Sequence, residues 1–160
     1  MFLEAAAAMK PFIGTYENKV DRKGRVSVPA KFRAVLQAAE YTTIVVRPDR
    51  ERGCIEGYGM DRLERLSEAT PDLLDEGAQT PSLERIYDIL SDSEELPFDP
   101  TGRVVVPADL LAQAGIDETA VFVGLGRVFQ IWNPTAFEAS RGRKPRPVAQ
   151  GGSAARGAGA

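Results

Sequence analysis

The sequence predicts an α+β protein, rich in β structure, made of two tandem copies of one small module with short helices. Three observations predict it. The phrase Asp21-Arg22-Lys23-Gly24-Arg25-Val26-Ser27-Val28-Pro29-Ala30 returns 78 positions later as Asp99-Pro100-Thr101-Gly102-Arg103-Val104-Val105-Val106-Pro107-Ala108, with seven of the ten positions identical. Each copy is followed by a short amphipathic stretch and then by two strand-like runs. Self-similarity at one period marks a duplicated structural unit. Two such units give a buried seam, or one binding surface, built from equivalent halves.

Residues 1–11 are an N-terminal extension. Met1, Phe2, Leu3, Glu4 and the alanines 5–8 lack the basic residues and long apolar core of a secretory signal. From Phe12 the chain alternates moderately: Phe12, Gly14, Tyr16, Asn18 and Val20 share one face, and Ile13, Thr15, Glu17 and Lys19 the other. Asp21 and Gly24 bracket a reverse turn. Aspartate hydrogen-bonds its own backbone two residues on, and glycine supplies a positive φ. Residues 25–28 alternate again, so a hairpin with a turn of three or four residues is expected. Pro29 stops the strand and suits the first position of a helix. Phe32, Val35 and Leu36 then mark its apolar face.

In the second copy Leu110, Leu111 and Ala114 play that part, and Gly115 ends the helix. Residues 41–46, 54–58, 120–123 and 128–132 are strands, two per copy. Helices are expected at 60–66 and at 134–139, the latter opened by Asn133-Pro134 as cap and first turn. Between the copies Leu83, Ile86, Tyr87 and Leu90 form a helical stripe that docks on the core. The division is thus 12–70 for the first module, 71–92 for a helical connector, 93–140 for the second module, and 141–160 for a disordered basic tail rich in Arg, Pro, Gly, Ala and Ser.

The chain has 160 residues, so each module is near the size at which a core alone is marginal; the halves are expected to pack together or to oligomerise. No run of 18 apolar residues exists, and no membrane span is expected. There is no histidine, which removes the commonest general base and metal ligand. The single cysteine, Cys54, falls in a strand and reads as a buried structural thiol of a reducing compartment. Gly124-Leu125-Gly126 joins two strands and needs only a hairpin turn, not a phosphate. No cofactor, metal or small-molecule substrate is expected.

Charge is unevenly spread. The formal net charge is −3, yet residues 10–33 carry seven basic and two acidic side chains, residues 34–98 six basic and fifteen acidic, and residues 141–160 five basic and no acidic. The first turn therefore sits in the basic part of an acidic chain, where the local field attracts a polyanion. Arg22, Lys23 and Arg25, backed by Lys31 and Arg33, form a compact cationic feature, and a two-stranded ribbon fits the DNA major groove. Arg25 and Arg103 have a second reading: an ion pair with Asp21 and Asp99, four residues back. The two are compatible, because a carboxylate can hold a guanidinium in place for a phosphate or base. Paired aspartates in a duplicated β-rich chain also suggest an aspartic protease. That site requires Ser or Thr directly after each Asp, whereas Arg22 and Pro100 stand there.

The segment from Tyr16 through Asp21-Arg22-Lys23-Gly24-Arg25 to Arg33 resembles the first half of the MraZ family. The segment from Leu96 through Asp99-Pro100-Thr101-Gly102-Arg103 to Pro107, with Val121-Phe122-Val123-Gly124 and Phe129-Gln130-Ile131-Trp132, resembles its second half. The likeness covers about residues 12–140. It implies two AbrB-like, swapped-hairpin modules packed as a pseudo-twofold unit, each with an Asp-x-x-x-Arg signature, here Asp21 to Arg25 and Asp99 to Arg103. It implies a bacterial transcriptional regulator, cytoplasmic and associated with the nucleoid. Such a regulator represses the division and cell-wall gene cluster that holds its own gene. It binds double-stranded DNA at short direct repeats upstream of the promoter, through the basic turns of a homo-oligomeric ring. The DNA-binding residues so implied are Arg22, Lys23, Arg25, Lys31, Arg33 and Arg103, with Asp21, Gly24, Asp99 and Gly102 shaping the turns. The second copy departs from the first: Pro100-Thr101 replaces two cations and Asp109 replaces Lys31. Arg103 is accordingly the weaker candidate, and its motif serves structure or subunit contact as readily as DNA. Related AbrB-type folds also act as antitoxin-like partners of other proteins, an alternative that charge reversal at Arg25 would leave intact.

Overall fold

The computed structural model describes residues 9–75 and 81–141. Residues 1–8 of the extension, 76–80 of the connector and 142–160 of the tail lie outside the described residues, as does the reading of that tail as disordered.

The first copy runs β1 (Thr15–Lys19), β2 (Arg25–Ser27), α1 (Ala30–Ala38), β3 (Thr43–Asp49), β4 (Cys54–Tyr58) and α2 (Met60–Asp75). Helix α3 (Pro81–Asp92) leads to β5 (Glu94–Pro97), β6 (Arg103–Val105), α4 (Ala108–Ala114), β7 (Thr119–Gly124), β8 (Phe129–Trp132) and α5 (Pro134–Arg141). The fold is α+β. One antiparallel sheet has the order β1-β7-β8-β4-β3-β5, and β2 pairs with β6 in a separate two-stranded ribbon. Exchanging the copies turns β1, β7 and β8 into β5, β3 and β4, and so maps the sheet onto itself. Its twofold passes between β8 and β4.

The expected local hairpin is corrected here. Around the first turn only Val20 and Val26 bridge. Beyond that, β1 joins β7, β5 joins β3, and β2 and β6 join each other. Each strand before a turn thus completes the sheet of the opposite copy. The reason is burial: a lone two-stranded hairpin is marginal in water, whereas the exchange seals Val26 and Val104 at 1% exposure each.

One sheet face packs on the ribbon, α1 and α4 around Val26, Val28, Phe32, Leu36, Val104, Val106 and Leu110. Phe32 is the centre of that core. Its ring lies 5.4 Å from Phe12, 5.6 Å from Tyr16 and 5.2 Å from Phe129. The opposite face holds two smaller clusters: Cys54, Val121, Val123, Trp132 and Phe137 under α5, and Val45, Tyr58 and Ile89 under α2 and α3. Cys54 is buried, and its burial pushes the thiol up to about 12.

Several boundaries move. Helix α2 continues to Asp75 rather than stopping at 66. Strand β3 begins at Thr43 and runs on through Arg47-Pro48-Asp49. Pro48 is tolerated because β5 pairs only as far as Val46, leaving Pro48 with a neighbour on one side. Pro29 and Pro107 occupy the N-cap, one position before the helix. Their carbonyls accept from Phe32 and Arg33, and from Leu110 and Leu111. Gly115 does end α4, at φ 67°, and Asn133 caps α5 through its side-chain oxygen, 2.9 Å from the Ala136 amide. On α3 the buried positions are Leu83 and Ile89, whereas Ile86, Tyr87 and Leu90 are only half-buried.

Candidate nucleic-acid interface

The two turns have nearly the same geometry. In the first, the Asp21 carboxylate accepts from the amides of Lys23 and Arg25 at 2.9 Å each, and from Arg25 Nε at 2.7 Å. In the second, Asp99 accepts from the amides of Thr101 and Arg103 at 2.9 Å each, from Arg103 Nε at 2.8 Å, and from the Thr101 hydroxyl at 2.8 Å. The backbone closes each turn: Gly24 N–H donates to Asp21 O, and Gly102 N–H to Asp99 O, both at 3.0 Å. Gly24 and Gly102 sit at φ 82° and 86°, the left-handed region that favours glycine.

The carboxylates stay ionised in this setting. The Arg25 amide foremost, then its side chain and the Lys23 amide, hold the Asp21 carboxyl below the usual carboxylate range. The Arg103 amide, the Thr101 hydroxyl and the Arg103 side chain do the same for Asp99. Each guanidinium is gripped by its Nε edge, and its Nη groups make no bond among the described residues. The two arginine side chains remain 36% and 37% exposed. They are held, partly open, with donors available to an outside acceptor.

The ribbon places these arginines on one face, at its two ends. Its register pairs Arg25 with Val105, Val26 with Val104 and Ser27 with Arg103. Because side chains alternate along a strand, Val26 and Val104 point into the core while Arg25, Ser27, Arg103 and Val105 share the outer face. The turns are stitched to the opposite copy: Val28 N–H donates to Gly102 O at 3.2 Å, and Val106 N–H to Gly24 O at 2.9 Å.

The other expected contacts divide. Arg22 and Lys23 are exposed on the first turn, and Lys31 is exposed on the first turn of α1. Arg33 is half-buried instead. Its Nε donates to Val28 O at 3.0 Å, and a Cβ added to Gly102 would fall 2.5 Å from its Nη1. Arg33 therefore braces the second turn from the first copy's helix. Composition showed only its charge, because that contact spans the two copies. Asn18, which the alternation marks only as a strand residue, ties β1 to β2 through a 2.7 Å bond to Ser27 O. Alternation along the chain does not reveal the exposure of Val105 either. The repeat offset was the available signal, since it sets Val105 opposite Ser27 in the alignment of the copies.

Among the described residues no group of three His, Cys, Asp or Glu side chains gathers where a metal could bind, and no helix is long and apolar enough to cross a membrane.

The family model described as MraZ protein matches residues 12–79 and 89–144, one turn in each segment. A protein of Rhodospirillum rubrum named transcriptional regulator MraZ is 94% identical over 155 residues, covering 97% of this chain and all of that one. Proteins of the same name from Pelagibacter ubique and Rickettsia peacockii are 42% and 39% identical, over 79% and 81% of this chain and 81% and 86% of theirs. With both signature turns inside the matched segments and a relative this similar along its whole length, the chain belongs to the MraZ family.

Proposed function

We propose that the chain is a sequence-specific DNA-binding transcriptional regulator rather than an enzyme. In this reading it works in the cytoplasm at the nucleoid and represses a division and cell-wall gene cluster that includes its own gene. The modules at 12–70 and 93–140, joined by the connector at 71–92, form the binding unit. The observation that carries the reading is the outer ribbon face, where Asp21 and Asp99 pre-position Arg25 and Arg103 at diagonal positions, one at each end of the ribbon. A guanidinium already fixed loses less rotamer freedom on binding a phosphate or a guanine edge. Arg22, Lys23 and Lys31 add phosphate contacts beside it, and Arg33 supports the ribbon from beneath. The names of the relatives agree with this reading.

One subunit presents few cations, so a homo-oligomeric ring that sets several turns on successive direct repeats supplies the affinity through linked binding. The test is binding to the DNA upstream of its own gene, titrated against salt, for the wild type and Arg25→Ala. Promoter-preferring binding that weakens with salt, by a log–log slope of about 0.9 per phosphate contacted, and that collapses in the variant supports the proposal. Binding equal for unrelated DNA and unchanged in Arg25→Ala sinks it, and directs attention to a protein partner.

A further inference from the structure

We propose that Val105 is a specificity residue that packs on the C5-methyl group of a thymine in the DNA major groove, next to the position met by Arg25. The inference rests on the DNA-binding reading above and names a base-reading contact within it.

Val105 is 53% exposed, one of three exposed large apolar side chains in the described residues and second only to Ile13. Burial does not account for it, and neither does the repeat: its counterpart 78 positions earlier is Ser27, so the fold accepts a hydroxyl there. Its placement is specific. Val28 and Val106 donate to Gly102 and Gly24, so the ladder's hydrogen-bonded pairs fall on either side of Arg25–Val105, which is a non-hydrogen-bonded pair. Side chains of such a pair stand about 4.5–5.5 Å apart at Cβ. That lies between one and two base-pair steps of about 3.4 Å each. Whatever base edge Arg25 meets, Val105 meets the same pair or its neighbour. Thymine alone among the four bases offers an apolar group in the major groove, and an apolar, branched side chain is its complement.

The pair at the other end of the ribbon is Ser27 with Arg103. The twofold therefore holds for the arginines and fails for the residues beside them. A hydroxyl accepts several base edges, a valine favours the methyl. The ribbon so acquires a direction along the duplex, which suits a site without dyad symmetry.

The test compares the upstream DNA fragment with the same fragment made with deoxyuridine in place of thymidine, at fixed ionic strength. The proteins are the wild type, Val105→Ala, Val105→Ser and Arg25→Ala. Removing one buried methyl corresponds to about a fourfold loss. The expected result is a wild type that binds uracil DNA about fourfold more weakly, or more where several subunits engage. The two Val105 variants then bind both DNAs equally and no tighter than the wild type binds uracil DNA. Arg25→Ala loses binding to both DNAs, as the proposed function requires. Equal wild-type affinity for the two DNAs, or discrimination retained in Val105→Ala, overturns the proposal and leaves DNA binding standing. A wild type that does not prefer the upstream fragment to unrelated DNA removes both.

Discussion

Val26 and Val104 are counterparts in the repeat and also direct cross-strand partners in the ribbon. A residue pairs with its own duplicate only on a symmetry axis, so the twofold relating the copies passes between these two side chains. Both are sealed from water, at the point where the two halves of the core meet.

Truncation at that axis is expected to act on both copies at once. Val26→Ala and Val104→Ala should each cost about 1–3 kcal/mol, as large-to-small core changes do. The double variant should depart from the sum by about 0.5 kcal/mol or more, because the two share one cavity. Urea unfolding of the four proteins measures this. Strict additivity would mean that the valines do not pack on one another.

Gly24 and Gly102 look equivalent but should not tolerate alanine equally. Both carry the cost of a positive φ, about 1–2 kcal/mol. At Gly24 the added Cβ meets the Val106 carbonyl at 2.7 Å, and that backbone atom is pinned in the ribbon. At Gly102 it meets the end of the Arg33 side chain, which can swing away. Gly24→Ala should therefore be the more damaging, by about 1–2 kcal/mol of overpacking. Gly102→Ala should also cost less in an Arg33→Ala background. Equal losses at the two glycines would contradict this.

Just past the end of helix α1, Glu40 adopts φ 65° with its amide bonded to Gln37 O; Gly115 takes the matching place after α4. A charged side chain there carries a strain that glycine avoids. Glu40→Gly is expected to raise stability, by up to about 1 kcal/mol, with a higher thermal midpoint as the readout. A lowered midpoint would mean that the glutamate makes contacts outweighing its backbone cost.

The turns also carry a pH dependence. Asp21 and Asp99 titrate lower in the folded protein than in the unfolded chain, so each binds its proton more readily when unfolded. Their contribution is present above the ordinary aspartate value of about 3.9 and is lost as pH falls through the folded values. Carboxyl carbon shifts followed from neutral to acid pH should show both titrating below the ordinary aspartate range. Asp99, with the extra Thr101 hydroxyl, should titrate last. Midpoints in the ordinary range would mean that the turn bonds do not persist in solution.

Much of this molecule was determined by its sequence. Asp21, Gly24, Arg25 and their counterparts dictate the turns locally, because a short carboxylate and a glycine close a four-residue loop whatever surrounds it. Proline before each α1-type helix, Gly115 after α4 and Asn133 before α5 punctuate the chain in the same local way, and the duplication announced two equivalent halves. The residues themselves predicted a hairpin at each turn, and only the family resemblance carried the exchange. That choice belongs to tertiary structure, since a three-residue strand gains too little from its neighbour in sequence and more from sealing Val26 on Val104. The same holds for the site. Charge pattern marked Arg22, Lys23, Arg25, Lys31 and Arg33 alike, but the packing of two copies decided which are presented and which, like Arg33, are used to join them. The exposure of Val105 was decided there too, because a valine in a strand has no side of its own until the register of its partner is set.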